Sequence, residues 1–449
     1  MKSIRIGTGA GGCTFERLEP CADLVERGNL DYLVFECLSE RTLASAQKEK
    51  LQNKELGYNP MLEVRMRRFL KPCVEQGIKI VSNMGAANTL YAVRKIAEIA
   101  TELGISHLKI GYVLGDDITD SIHDFDAEPL YDSDGLLGDL SNVISANVYF
   151  GSDGIVEALN AGAQVVVTGR VVDVALFTGP IFHEFPEFTK SADKRGQAIL
   201  LGHLMECNAQ VSGGYFYDPY KKEIENLENI GFPIAEMSES GDFVISKLPE
   251  TGGLVSVDTC KEQLLYEIND PSNYIGPDGI ADFGNVHFEA VGSDAVAAMG
   301  ATSRPAPATY KVNVGYLDGF KGIGEVSYAG PGCLERAQAI AQAVQKRWDI
   351  AGLTLDRTKV SIIGYNSVFG DKIAEQFAPK DLLEVRVRFA VHAYNRLQVE
   401  LANRETMCLS INGAAGSAGT ETRVEEVLAI DNIIIPRNCV EYSIGIWEV

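Results

Sequence analysis

Several short stretches of this chain carry residue types that can hold an anion and move a proton. Near the start, MKSIRIGTGAGGCTFERL places Gly7, Gly9 and Gly12 in the spacing G-x-G-x-x-G, with Gly11 between them. FECLSERT supplies Glu36, SNMGAANT supplies Asn83, Gly85 and Asn88, GDDITD supplies Asp116 and Asp117, and TGRVVD supplies Thr168, Arg170 and Asp173. Backbone N–H groups of glycine loops suit a carboxylate, a phosphate or an oxyanion. The planar fork of Arg170 suits a substrate carboxylate or phosphate better than a lysine would, the bland alternative being a surface pair with Asp173. Glu36 or Asp173 would then act as the proton carrier.

The glycine spacing alone is the fingerprint of dinucleotide folds, where a strand turns tightly into a helix facing a pyrophosphate. In this chain the third glycine is followed by Cys13, Thr14 and Phe15, and Pro20 comes later in LEPCADLVERG. Proline fits the first helical turn and not a helix interior, so the helix is expected from about Glu19 to Gly28. Gly7 to Leu18 then reads as a long glycine-rich loop, which suits an anion or plain turning better than a dinucleotide.

Other candidates have competing readings. Asp116 and Asp117 could bind Mg²⁺, or could be solvated caps on a turn; no cofactor follows with certainty. His203 and Cys207 are four apart with Glu206 between, but no H-E-x-x-H pattern is present, and a core histidine fits better. Lys247 stands four residues before Gly252-Gly253 at the entry to a helix, where an anion could sit. NGAAGSAGT (412–420) reads equally as a flap or a plain loop.

These residues need elements to position them. Apolar strand signals occur at Ile4–Gly7, Tyr32–Glu36, Ile78–Asn83, Leu108–Leu114 and Gln164–Thr168, separated by amphipathic segments such as Leu62–Gln76 and Asn88–Leu103. That alternation predicts an α/β fold: a mostly parallel sheet with helices on both faces. All strand C-termini of such a sheet open on one edge, where ligands bind. That edge collects Gly9, Gly11, Gly12, Glu36, Asn83, Gly85, Asp116, Asp117, Thr168, Arg170 and Asp173. A helical elaboration is expected at about 190–290, and SRPAPAT marks a linker. The division is therefore 1–304 for the α/β domain and 309–449 for a C-terminal α+β domain.

The chain has 449 residues, 40 basic against 62 acidic, for a formal net charge of −22. Such a surface repels nucleic acid and anionic membranes, so the expected partner is a small anionic molecule. No apolar run reaches the ~18 residues of a membrane helix. The early first strand leaves no space for a signal peptide. Nine cysteines without a C-x-x-C pair fit a reducing, cytoplasmic setting.

The words LVERGNLDYLVFECLSERT, GYNPMLEVRM, SNMGAAN, VVTGRVVD, VSGGYF, GFPIAEM and TGGLVSVDTCKEQLLYEINDPSNYIGPD resemble the acyclic terpene utilisation proteins (AtuA type), from about Ile4 to about Pro305. The last hundred residues match less clearly. The resemblance implies catabolism of small or branched organic acids or their coenzyme A thioesters, with a homo-oligomer and a small companion subunit as expected partners. Combined with the site residues it points to a lyase, of hydro-lyase or retro-aldol type. Arg170 would hold the anion, and the loops at Gly9–Gly12 and Gly85, with Asn83, Asn88, Thr168 and Lys247, would bind substrate. The alternatives are a dinucleotide-dependent oxidoreductase and a non-catalytic subunit that binds an acyl ligand for a partner enzyme.

Overall fold

A computed structural model of the protein describes residues 2–12, 14–378 and 381–449; Cys13 lies outside the described residues. The chain divides into two compact units, Met1–Tyr316 with Ile430–Val449, and Leu317–Ala429. This differs from the division at 304–309: residues 309–316 stay with the first unit, and so do residues 430–449.

The first unit opens with strand β1 (Ser3–Ala10), helix α1 (Glu19–Arg27), β2 (Tyr32–Phe35), α2 (Glu40–Gln52), α3 (Leu62–Gln76), β3 (Lys79–Ser82), α4 (Thr89–Glu102) and β4 (Lys109–Leu114). Next come β5 (Val143–Val148), α5 (Asp153–Asn160), β6 (Val165–Thr168), α6 (Ala175–Glu184), α7 (Ala192–Glu206), β7 (Pro233–Ser238), β8 (Phe243–Lys247) and α8 (Val257–Leu265). Short strands β9 (Tyr274–Gly276), β10 (Gly279–Asp282), β11 (His287–Gly292), β12 (Ala295–Met299) and β13 (Thr302–Arg304) follow, then the long β14 (Thr309–Ala329). The remaining elements are α9 (Cys333–Ile350), β15 (Arg357–Ile363), α10 (Asp371–Phe377), β16 (Glu384–Ala393), α11 (Arg396–Met407), α12 (Leu409–Asn412), β17 (Ser417–Pro436) and β18 (Ser443–Glu448).

Ten strands form one mixed sheet in the order β11-β12-β8-β7-β1-β2-β3-β6-β4-β18. Only its centre, β1-β2-β3-β6-β4, is parallel. The flanking pairs β7-β1, β8-β7, β12-β8, β11-β12 and β18-β4 are antiparallel. The expected mostly parallel sheet is therefore corrected to a mixed one. The cause lies in PIAEMS and FVISK, which form a hairpin through Glu239–Asp242, and in a C-terminal strand that returns to β4. The expected helical elaboration at 190–290 likewise contains β7 to β11 beside α7 and α8.

Both faces of the parallel centre are covered, as its near-continuous apolar strands require. Side chains of successive strand residues point to opposite faces. Accordingly Tyr32, Val34 and Val166 join one core, with α5, α6 and α7, while Leu33, Phe35, Val165 and Val167 join the other, with α1, α3 and α4. In the second unit, residues 320–329 of β14 pair antiparallel with β16, and β16 with β15. Trp348 of α9 packs edge-on against Phe389 at 6.0 Å in that unit's core.

Candidate functional site

The parallel strands β1, β2, β3 and β6 end at Ala10, Phe35, Ser82 and Thr168, and deliver Gly12, Glu36, Asn83 and Arg170 to one edge. β1 itself runs through Gly7 and Gly9 to Ala10, so the loop is shorter than expected and starts at Gly11. A Cβ on Gly9 would lie 2.5 Å from the Phe35 ring, so this glycine serves packing. A Cβ on Gly11 would lie 2.1 Å from the Glu206 carbonyl oxygen and 2.5 Å from the Asn208 nitrogen, where the loop meets the end of α7. Gly12 has φ +64°, a left-handed conformation that favours glycine.

The loop does meet an anion, and that anion belongs to the protein. The Gly12 N–H donates to Glu36 Oε2. Glu36 Oε1 accepts from Leu38 N–H at 2.9 Å and from Asn83 Nδ2 at 3.0 Å. Asn83 Oδ1 in turn accepts from Cys37 N–H at 2.8 Å. Glu36 is buried, and with three donors committed to it, it anchors the loop more than it serves a ligand.

Arg170 is fully buried and largely committed too. Nε donates to the Val171 carbonyl at 2.7 Å, Nη1 to the Leu38 carbonyl at 2.6 Å, and Nη2 to both Val171 O and Asp173 Oδ1. Its guanidinium also lies over the Tyr149 ring, 4.4 Å from the centroid. The expected bidentate hold on a substrate is therefore corrected: the fork joins two loops and orients Asp173. The Asp173 side chain remains 38% exposed. Its carboxyl is raised to about 7 by burial, with Glu36 and Glu267 adding and Arg170 opposing.

A second carboxyl lies close by. Glu206 Oε1 sits 3.1 Å from His203 Nδ1, while His203 Nε2 sits 3.2 Å from the Leu264 carbonyl. A carbonyl only accepts, so Nε2 carries a proton, and the Glu206 contact needs one more proton on either ring or carboxyl. Burial raises Glu206 above the usual carboxylate range; His203 opposes, and Asp173 and Glu267 add. His203 also stacks on Phe283, 6.0 Å between ring centres. Two residues further on, Asn208 is fully buried with neither side-chain polar atom hydrogen-bonded.

A pocket of ≈ 230 Å³ is lined by Tyr149, Val172, Ile275, Tyr310, Lys311 and Ile434, and the Tyr149 ring on its wall is the one the Arg170 guanidinium lies over. Lys311 Nζ and the Tyr149 hydroxyl both donate to Glu40 Oε1, at 2.7 and 2.8 Å. Burial raises the Glu40 carboxyl, but Lys311, Tyr149 and Arg170 outweigh it and the net shift is downward.

The remaining candidates are occupied by the fold. Asp116 Oδ2 accepts from Arg170 N–H at 2.8 Å and Asn147 Nδ2 at 3.0 Å, pinning the Gly169–Arg170 turn to β5. Burial raises it to about 6, with those donors opposing. Asp117 caps Thr119 and pairs with Lys50 at 3.2 Å. The two adjacent acids thus have separate protein partners, and among the described residues no group of three or more His, Cys, Asp or Glu could hold a metal ion. Gly85 is crowded by the Thr168 carbonyl, 2.5 Å from where a Cβ would stand, and the Thr168 hydroxyl donates to the Gly169 carbonyl. Asn88 stands at the N-cap of α4 without a side-chain cap; its amide donates to the Lys54 and Leu56 carbonyls. Lys247 is buried against Asp294 at 3.1 Å and the Thr251 carbonyl at 2.9 Å, which corrects the expected anion site there.

Glu206, Asn208, Glu267, Tyr149 and Lys311 were not among the sequence candidates. The one available signal was the H-L-M-E-C-N run closing α7, read as a core histidine with a cysteine.

The family model described as acyclic terpene utilisation family protein AtuA matches residues 4–446, thus covering the C-terminal segment where the sequence resemblance faded. No curated protein matches the chain. Among the described residues, no helix is long and apolar enough to cross a membrane.

Proposed function

The chain belongs to the acyclic terpene utilisation family AtuA, and on that premise we propose that it is a lyase. It acts, in this reading, on a small or branched organic acid or its thioester, adding or removing water or splitting a carbon–carbon bond next to a carbonyl. The observation that carries the proposal is Asp173: a carboxyl held by Arg170, accessible, and raised to about 7. A proton carrier works best when its pKa lies near the operating pH.

The reaction in this reading is dehydration of a 3-hydroxy acyl group. Glu206, as carboxylate, takes the proton from the carbon next to the carbonyl. Asp173, as carboxylic acid, gives its proton to the departing hydroxyl. The C–O bond breaks, a C=C bond forms and water leaves. Two carboxyls with shifted pKa values near each other suit the paired roles of base and acid. The unpaired Asn208 amide can donate to the oxygen on which enolate charge develops. The pocket lined by Val172 and Tyr149 accommodates a branched chain.

The test is exchange chemistry. The protein is incubated in D₂O with a panel of branched acids and acyl thioesters, and deuterium incorporation next to the carbonyl is followed by NMR. Incorporation that disappears in Glu206→Gln, together with loss of water elimination in Asp173→Asn while the fold is retained, supports the proposal. Unchanged water elimination in Asp173→Asn removes Asp173 from the reaction.

A further inference from the structure

We infer that helix α2 is a lid that opens by itself, and that its closure positions Arg170 and, through Arg170, Asp173. The strand pair beneath the helix has the alternation of a sheet with one face in water. On β5 and on residues 309–316 of β14, Ala146, Val148, Val312 and Val314 point into the main core. The intervening Ser145, Asn147, Asn313 and Gly315 lie on the opposite face. Apolar in and polar out is the pattern of an antiparallel pair with one solvated side. Here that polar side is covered: α2 packs on β5, and Ser145, Asn147 and Asn313 are buried. The approach is close, since a Cβ on Gly315 would stand 2.7 Å from the Ala44 Cβ.

The helix itself is weakly anchored. ERTLASAQKEKLQ buries Leu43, Ala44, Ala46 and Gln47, whereas α3 buries Leu62, Met66, Phe69 and Leu70. Among the described residues, Leu43 and Ala46 join neither large core; with Leu38, Ala86 and Ala87 they form a small cluster of their own. The flank toward residues 58–60 leaves a pocket of ≈ 210 Å³, bordered on the helix by Thr42, Ser45 and Glu49. Polar contacts supply further fastening. Glu40 accepts from Lys311 and Tyr149, and Lys50 donates to the Ala87 carbonyl at 2.7 Å and pairs with Asp117. Few apolar contacts over a floor that water can solvate make a segment that opens locally, without the rest of the fold.

Closure reaches Arg170 by two routes. The Leu38 carbonyl, just before the helix, accepts from Arg170 Nη1 at 2.6 Å. Tyr149, whose hydroxyl donates to Glu40, has its ring against the Arg170 guanidinium, 4.4 Å from the centroid. Arg170 Nη2 in turn donates to Asp173. Glu40 is thus a positioning residue, acting on Asp173 through Tyr149 and Arg170. When α2 lifts, both routes are cut and the guanidinium is left to Val171 and Asp173. Control of Asp173 rests on its proposed role as proton carrier; the opening of α2 does not.

Hydrogen–deuterium exchange of the full chain, read by mass spectrometry, tests the lid, and ¹³C NMR of the Asp173 carboxyl tests the coupling. Two variants loosen α2 in different ways. Glu40→Gln removes the charge that fastens it, and Gly315→Ala sets a methyl group against Ala44. In the unmodified protein the amides of α2 should exchange about 10-fold or more faster than those of α3 and α4. Both variants should speed α2 several-fold further and leave α3 and α4 unchanged. In the same variants Asp173 should titrate lower, since a guanidinium released from Leu38 serves Asp173 more fully. Exchange of α2 as slow as that of α3 and α4, or variants that speed all three alike, overturns the lid. Local opening with an unmoved Asp173 titration overturns the coupling. An Asp173 that titrates at about 4 in the unmodified protein, the value of an ordinary aspartate, contradicts the reaction centre, and the lid then stands or falls on the exchange of α2.

Discussion

Two acid-bearing loops leave the same edge of the sheet, one after β4 and one after β6, and they differ in how much of each carboxylate the protein consumes. After β4, Asp116 is buried under two donors and Asp117 is shared between Thr119 and Lys50. After β6, Asp173 meets the Arg170 guanidinium yet keeps over a third of its side chain in solvent. The first pair fastens loops together. The second acid is fastened by its own loop and left accessible. A carboxylate at a strand end is thus available for chemistry only to the extent that backbone amides and neighbouring cations leave it unsatisfied.

The largest expected effect falls on Asp173. Replacing it with Asn should lower turnover of the substrate found by exchange by about 10²–10⁴-fold, the usual range for a general acid or base. Circular dichroism should show the fold retained. A loss below 10-fold would place Asp173 with Asp116, as a structural acid.

Arg170→Lys comes next. An ammonium cannot reach the Val171 and Leu38 carbonyls and Asp173 together, so buried acceptors lose donors, at about 1–3 kcal/mol. The variant should therefore melt at lower temperature. A change confined to KM, with unaltered melting, would return Arg170 to direct substrate binding.

Gly11→Val sharpens the comparison from the side of the glycine loop. Its Cβ would stand 2.1 Å from a backbone oxygen of α7's end, and overpacking of this kind typically costs about 1–3 kcal/mol. Lower stability, seen in chemical denaturation, is the expected outcome. Normal stability with lost ligand affinity would show the loop to be a binding loop after all.

Asp117→Asn should do least. It loses a half-exposed pair with Lys50, worth about 0–1 kcal/mol. Melting and turnover should stay near those of the parent, with or without added Mg²⁺. A Mg²⁺-dependent activity abolished by this change would restore the metal reading.

Much of the scaffold was legible in the sequence. The helix α3 occupies the expected Leu62–Gln76, α1 starts at Glu19 beside Pro20, and β2, β3, β4 and β6 lie within a residue or two of their apolar runs. Those segments carry strong periodicity, and the parallel centre makes their C-termini share an edge. The antiparallel flanks were not legible. PIAEMS and FVISK are short, and pairing partners as distant as β1 and β12 leave no local trace. In the site, residue types and the shared edge were readable, while occupancy was not: nothing in TGRVVD says that Arg170 spends its donors on Val171, Leu38 and Asp173. Glu206 and Asn208 were hidden for the same reason, since burial and the choice of hydrogen-bond partner leave no mark in the local sequence.

The central claim, that Asp173 is a proton carrier near neutral pH, has a direct check that needs no substrate. An aspartate in an unfolded chain titrates at about 4, whereas the partial loss of solvent around Asp173 and the nearby Glu36 push its carboxyl up, to about 7, against the pull of Arg170. Between those values the folded state binds the extra proton, so stability should fall as pH rises through that window, and Asp173→Asn should flatten part of the decline, leaving the parts due to other raised acids such as Asp116 and Glu206. ¹³C NMR of the aspartate carboxyls, with Asp173→Asn to assign the signal, reads the group itself. The account predicts a resonance titrating near 7 that is missing from the variant; an Asp173 signal titrating near 4 would contradict it.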